Sequence, residues 1–151
     1  MKVIFLDIDG VLNCSTSTKR YHGTPFVDDD KLKLLAEIVS KTDAKLVLSS
    51  TWRFGLLYPD SIFAGDVIAL QKELYRFSLK LFSYTPRLPD KQRGDEIQAW
   101  LASHTGVESF VILDDDSDMA DIKEYLVKTT WEHGLQREHV EKAINILNLK
   151  D

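Results

Sequence analysis

The chain has 151 residues, 44% hydrophobic, 28% charged and 10% aromatic, which is the composition of one compact domain over 1–151 and argues against a disordered or fibrous chain. Lys and Arg number 19 against 24 Asp and Glu, a formal net charge of −5, so a chain-wide basic surface for gripping a duplex backbone is not supported. One cysteine leaves no internal disulfide framework, no apolar run approaches the ~20 residues that span a bilayer, and Asp7 interrupts the first run too early for a signal peptide; the expectation is a soluble, cytoplasmic protein with no membrane contact.

Taken in chain order, Lys2–Leu6 is a short apolar run that stops at Asp7. Similar runs stand at Lys45–Leu48 before Ser49, at 79–82 before Thr85 and at 110–113 before Asp114, with a fifth candidate at 125–130. Runs this short, closed by polar residues, read as buried strands of a parallel sheet. Leu32, Leu35, Ile38 and Val39 share a helical face behind Asp28-Asp29-Asp30, which reads as an N-cap and first-turn acids on a solvated helix. Val67, Leu70 and Leu74 repeat at helical spacing, as do Ile97, Trp100, Leu101 and His104, and then Val140, Ala143, Ile144 and Leu147. This alternation predicts an α/β fold: a doubly wound, three-layer, Rossmann-like parallel sheet. Such sheets bind ligands outside the carboxyl ends of their strands.

Those ends are where the polar residues gather. Asp7 and Asp9 lie two apart after the first strand, and Asp114-Asp115-Asp116-Ser117-Asp118 follows the fourth. Carboxylates that close repel unless a cation neutralises them, and Mg²⁺, an oxygen-seeking ion, suits them. Ser49-Ser50-Thr51-Trp52-Arg53 after the second strand offers hydroxyls and helix-start amides to an anion. Lys91 and Arg93 stand at the start of the Trp100 helix, where cations oppose the helix dipole, so local stability does not explain them. A phosphate between them and a metal does.

Order and spacing together resemble the haloacid dehalogenase (HAD) superfamily of phosphohydrolases. The resemblance rests on Phe5-Leu6-Asp7-Ile8-Asp9-Gly10-Val11-Leu12, on Leu46-Val47-Leu48-Ser49-Ser50, on Arg93 or Lys91 opening a helix, and on Val111-Ile112-Leu113-Asp114-Asp115. The finer pattern, with Thr51-Trp52-Arg53, Arg93-Gly94-Asp95-Glu96-Ile97 and Asp116, is similar to the HAD domain of Swiss Army Knife RNA-repair proteins. The resemblance implies Asp7 as nucleophile, forming an aspartyl-phosphate, and Asp9 as general acid and then general base. It implies Mg²⁺ on Asp7, Asp9 (through its backbone carbonyl) and Asp114, with Asp115 or Asp118 in support. It also implies that Ser50, which fits the strand length better than Ser49, binds the phosphoryl group, and that Arg93 or Lys91 compensates its charge. Arg53 is a further candidate phosphate contact.

Other readings of the same residues stand beside this one. A receiver-like phospho-acceptor shares the acids and the metal, but places its acidic pair after the first strand and its acceptor after the third. A catalytically inactive binding domain has no need of every expected acid. Cys14 and Arg20 fit the C-x5-R spacing of cysteine phosphatases, but no glycine lies between them and the preceding strand already ends at Asp7. The tryptophans read as packing residues, not as base-stacking platforms.

Many HAD enzymes carry a cap domain. Here residues 13–27 leave room only for a flap or minimal cap, so the site is expected to be open, which suits bulky substrates such as nucleic-acid ends or nucleotides. Lys19, Arg20, Arg53, Arg76, Arg87, Lys91 and Arg93 could line it as a basic rim, or be ordinary surface charge.

Overall fold

A computed structural model describes residues 1–149. Five parallel strands form one sheet: β1 (Lys2–Leu6), β4 (Lys45–Leu48), β5 (Leu81–Tyr84), β6 (Ser109–Asp114) and β7 (Leu126–Lys128), in the spatial order β5-β4-β1-β6-β7. This is a Rossmann-like arrangement, with the first strand central and the chain winding outward on both sides. Helices follow four of the strands: α1 (Asp29–Thr42) after β1, α2 (Phe54–Leu57) and α3 (Ala64–Tyr75) after β4, α4 (Arg93–Ser103) after β5, and α5 (Arg137–Leu147) after β7, whereas β6 reaches β7 through a loop and a short 3₁₀ turn at Lys123–Tyr125.

Alternation along the strands divides the core into two layers. Ile4 and Leu6 of β1, with Leu46, Leu48, Val111 and Leu113, pack against α1, α3 and α5 through residues such as Leu35, Leu70 and Val140. Val3 and Phe5 point the other way, with Val47 and Ile112, and meet Ile97 and Trp100 of α4. Phe5 and Trp100 touch edge-to-face at 5.4 Å.

The register sets the height of the site. Leu6 is paired with Leu48 on one side and with Leu113 on the other. Asp7, Ser49 and Asp114 are therefore the next residues on three adjacent strands and emerge at one level. The ladder carries on past the strands, with Asp7 N–H donating to Leu113 O (3.0 Å), Ser49 N–H to Leu6 O (2.9 Å) and Thr85 N–H to Leu48 O (3.0 Å).

Two boundaries differ from the sequence expectation. The third core strand begins at Leu81, because Leu79 belongs to the helix-to-strand turn: its N–H donates to Leu74 O at 3.0 Å and its side chain is buried. The last strand is confined to Leu126–Lys128, inside the expected 125–130. Within 13–27 the chain forms a small antiparallel hairpin of β2 (Arg20–Tyr21) and β3 (Thr24–Pro25). His22 and Gly23 take φ 49° and 80°, the left-handed pair that a two-residue hairpin turn requires. No described helix is long and apolar enough to cross a membrane.

Candidate active site at the carboxyl edge of the sheet

Asp7, Asp114 and Asp115 bring carboxylate oxygens within 4.8 Å of one another. Asp7 and Asp114 follow directly from the β1/β6 register, and Asp115 swings in above Gly10. Gly10 has φ 83°, and a Cβ there would collide with the Asp115 carboxylate. The glycine thus serves both the turn after Asp9 and the close approach of the third acid.

Burial and mutual repulsion push the acids up. Asp7 is raised well above the ordinary carboxylate range, first by burial and then by the charge of Asp114. Asp114 is raised by burial as well, although the Asp116 N–H, which donates to its Oδ1 at 2.9 Å, pulls the other way. Three oxygen donors held together against their own repulsion suit a hard divalent cation. Asp118, further along the same loop, has Oδ1 buried and without a partner, and burial raises its carboxyl too.

Asp9 is in a different position. Its carboxylate lies outside the three-acid cluster, and both oxygens accept hydrogen bonds: Oδ1 from Asn13 Nδ2 at 2.9 Å and Oδ2 from Trp52 Nε1 at 3.2 Å. Asn13 also accepts the Gly10 N–H at 2.8 Å. One turn of backbone, in which the Val11 and Leu12 N–H groups both donate to Ile8 O, places Asn13 under Asp9.

Ser50 caps the short turn that follows β4, and its hydroxyl accepts the Trp52 N–H at 3.1 Å. The Ser49 hydroxyl is buried and has no protein partner. Arg93 opens α4, and its charge acts on Asp7, Asp114 and Asp118. Lys91 is exposed and precedes the Gln92 cap of that helix. Gly94 lets the helix start press on the acidic loop: its N–H donates to Asp118 O at 3.1 Å, and a Cβ would strike the Met119 backbone.

Arg53 corrects the expectation of a phosphate contact. Only 1% exposed, it donates to Thr85 O (3.0 Å), Ser49 O (3.3 Å), Ser50 O (2.8 Å), Pro86 O (3.3 Å) and Glu96 Oε2 (2.9 Å). Every N–H of the fork is spent on protein, so none is left for a substrate. Most of the expected basic rim is also engaged: Lys19 pairs with Glu73, and Arg76 with Asp29 and Glu73. Among the described residues Arg20, Arg87 and Lys91 have no ion pair. Asp28 departs from its expected role too. It occupies the N-cap position of α1 without capping it, and instead accepts from Ser17 Oγ at 2.6 Å.

The Cys14 thiol is buried beside Thr16 and Ser17, which lower its pKa against the opposing effect of burial, while Arg20 is exposed on the hairpin. Among the described residues no hydrogen bond joins Arg20 to the thiol, whose side-chain partners are Thr16 and Ser17.

The family model for the HAD domain in Swiss Army Knife RNA repair proteins matches residues 3–140. The chain belongs to this HAD domain family. No curated protein matches it. For a HAD domain the family suggests phosphohydrolase chemistry, and the three-acid cluster lies where strands β1 and β6 end. The sequence reading missed Asn13 and Glu96 and assigned Trp52 to packing alone. The i, i+4 spacing of Asp9 and Asn13 was the available signal for the first; Trp52 and Glu96 stand in the family-like Thr51-Trp52-Arg53 and Arg93–Ile97 patterns, which do not name their partners.

Proposed function

We propose that this HAD domain is a Mg²⁺-dependent phosphomonoester hydrolase that works through an aspartyl-phosphate on Asp7. The observation that supports this best is the division of labour between the two acids of the D-x-D pair. Asp7 sits in the cluster with Asp114 and Asp115, while Asp9 is held apart by two N–H donors. In this reading an Asp7 carboxylate oxygen attacks phosphorus as the bond to the leaving oxygen breaks, and Asp9 gives that oxygen a proton. A water then attacks phosphorus, Asp9 takes its proton, and the bond to Asp7 breaks to release inorganic phosphate. Asp9 needs freedom from the cluster to do this, since an acid that shares a cation is a poor proton carrier.

Asp7, Asp114, Asp115 and the Asp9 carbonyl would hold Mg²⁺, whose contribution is to offset the negative charge of nucleophile and phosphate. Ser50, Ser49 and the neighbouring amides would bind the phosphoryl oxygens, and Arg93 would balance their charge. We further propose that the phosphate is carried by nucleotides or nucleic-acid ends, with the protein in the cytoplasm and residues 13–27 as a short flap or minimal cap.

Hydrolysis of p-nitrophenyl phosphate with Mg²⁺ tests the proposal. Asp7→Asn should abolish turnover, as should EDTA. Undiminished activity in Asp7→Asn overturns the mechanism. A long-lived phospho-Asp7 with no turnover marks a phospho-acceptor instead.

A further inference from the structure

The connection from β4 to α3 runs over residues 49–63, whereas ~2–6 residues usually suffice for such a link. The excess builds a feature at the substrate edge. Thr51, Trp52, Phe54, Phe63 and Asp66 line a bay of about 280 Å³. Trp52 is the shared wall: its indole N–H reaches Asp9 Oδ2 at 3.2 Å, and it is also part of the bay. Phe26 of the hairpin stacks on it at 5.9 Å and 25°.

These aromatic residues are costly where they stand. Phe63 is 39% exposed and Tyr58 44%, both in contact with Phe54, with ring centroids 5.7 Å and 6.2 Å away. The sheet does not need them, because the core against α3 is made by Val67, Leu70 and Leu74. Exposed rings around a concavity offer a flat ligand ring stacking and edge-to-face partners. Its chemistry is specific. The Asp66 carboxylate, which also faces the Tyr21 hydroxyl, and Thr51 set polar groups among three aromatic rings, and the acceptor sites Tyr21 does not use suit a flat ring bearing N–H or amino donors. The volume lies just below the ~300–1,000 Å³ of drug-sized sites, scaled to one ring system. Arg87 stacks over Phe54 at 5.3 Å and has no ion pair among the described residues, so a cation stands beside the bay.

We infer that this bay is a subsite for the heteroaromatic base of the substrate, which packs among Trp52, Phe54 and Phe63 and donates to Asp66. The inference rests on the reading of Asp9 as the group that protonates the leaving oxygen. The leaving group must then lie on the Asp9 side, and on that side it meets Trp52. The same base can arrive on a free nucleotide or at the end of a nucleic-acid strand.

The test compares kcat/KM for adenosine monophosphate, a phosphorylated oligoadenylate and glycerol 2-phosphate in the wild type, Phe63→Ser and Asp66→Asn. Phe63→Ser should lower the ratio of adenosine monophosphate to glycerol 2-phosphate by ~10-fold or more, mainly through KM, as expected for the loss of a base-stacking partner. Asp66→Asn should lower it less. Equal losses on both substrates, or a wild type that does not prefer the nucleotide, overturn the inference while leaving the phosphatase reading intact. A binding measurement covers the converse case, in which no substrate turns over. The Trp52 indole N–H resonance should shift on titration with adenosine but not with ribose, and the shift should vanish in Phe63→Ser. Failure of adenosine to move it overturns the subsite whatever the activity. Arg87→Ala separates the two sources, because it should raise KM for the oligonucleotide alone if a polymer end is the natural substrate, and alter neither preferentially if a free nucleotide is.

Discussion

Arg53 and Glu96 meet at 2.9 Å beneath the candidate site, both buried, and join the Ser49-Ser50 turn to the first turn of α4. Glu96 has two further partners. Its Oε2 also accepts the Leu88 N–H at 2.9 Å, and its Oε1 takes Arg93 Nη1 at 3.2 Å. A single carboxylate thus fixes the distance between the proposed phosphate-binding hydroxyls and the proposed charge-balancing arginine. Neither Arg53 nor Glu96 touches a substrate in this arrangement; both are positioning residues.

Loss of Arg53 should therefore cost stability before chemistry. Arg53→Ala leaves Glu96 buried and short of a cation, and also removes four side-chain hydrogen bonds to carbonyls, so a loss of ~3–5 kcal/mol is expected in urea unfolding followed by circular dichroism. Arg53→Lys should recover only a minor part, because an ammonium cannot reproduce a planar fork with five separate acceptors. Glu96→Gln should be milder in stability but should loosen Arg93, lowering kcat/KM for p-nitrophenyl phosphate by ~10-fold, as expected for a lost charged hydrogen bond. Full rescue by lysine would show that Arg53 contributes only charge.

Gly10→Ala tests the packing of the acids. The residue has φ 83°, and the new methyl would occupy the space of the Asp115 carboxylate. The backbone strain alone costs ~1 kcal/mol or more, and Asp115 must leave the cluster. Mg²⁺ affinity measured by calorimetry should fall by ~10–100-fold, the range seen when a ligand's support is disturbed. An unchanged affinity would remove Asp115 from the proposed metal site.

The raised carboxyls make a prediction about pH whose sign is opposite to the usual one for acidic groups. In the unfolded chain Asp7 and Asp114 ionise near pH 4; in the folded chain burial holds their protons to higher pH. Between those points the folded state binds more protons than the unfolded, so stability falls as pH rises. In EDTA the melting temperature should be lower at pH 8 than at pH 5, and Asp7→Asn should remove part of that slope. Mg²⁺ should flatten it by binding the ionised form. A melting temperature that climbs from pH 5 to pH 8 in EDTA would contradict the burial of the pair.

Much of this architecture was legible in the sequence. Lys2–Leu6 and Lys45–Leu48 form strands with the boundaries their apolar runs suggest, since central parallel strands are buried on both faces and read as continuous hydrophobic runs. The edge strand Leu81–Tyr84 was displaced by two residues because one of its faces is open, with Phe82 and Tyr84 exposed, and so its pattern is weak. The placement of Asp7, Asp114 and Arg93 followed from strand and helix ends. Arg53, Trp52 and Glu96 did not, because their roles depend on contacts across 32 to 43 residues that no local pattern encodes. The hairpin at Arg20–Pro25 was hidden for another reason: strands of two residues are too short to show a period.

Asn13 carries the last prediction. It accepts the Gly10 N–H and donates to Asp9 and, at 3.3 Å, to Pro25 O, so it orders the acid, the turn and the hairpin together. Asn13→Asp has nearly the same shape, keeps the acceptor for Gly10 and loses both donors, and it sets a carboxylate beside Asp9. Two acids that close raise one another's pKa, so Asp9 should hold its proton longer. The proton-donating step benefits from that change and the water-activating step suffers, which should move the alkaline side of the reaction into control. The pH at which kcat reaches its plateau should shift upward, with kcat at pH 7 reduced by ~10-fold or more, within the range a positioned acid–base group contributes. Asn13→Ala removes the same donors without adding charge and should lower kcat with little displacement of the profile. If both variants give the wild-type profile, the hydrogen bond from Asn13 does not govern Asp9, and Trp52 alone orients it.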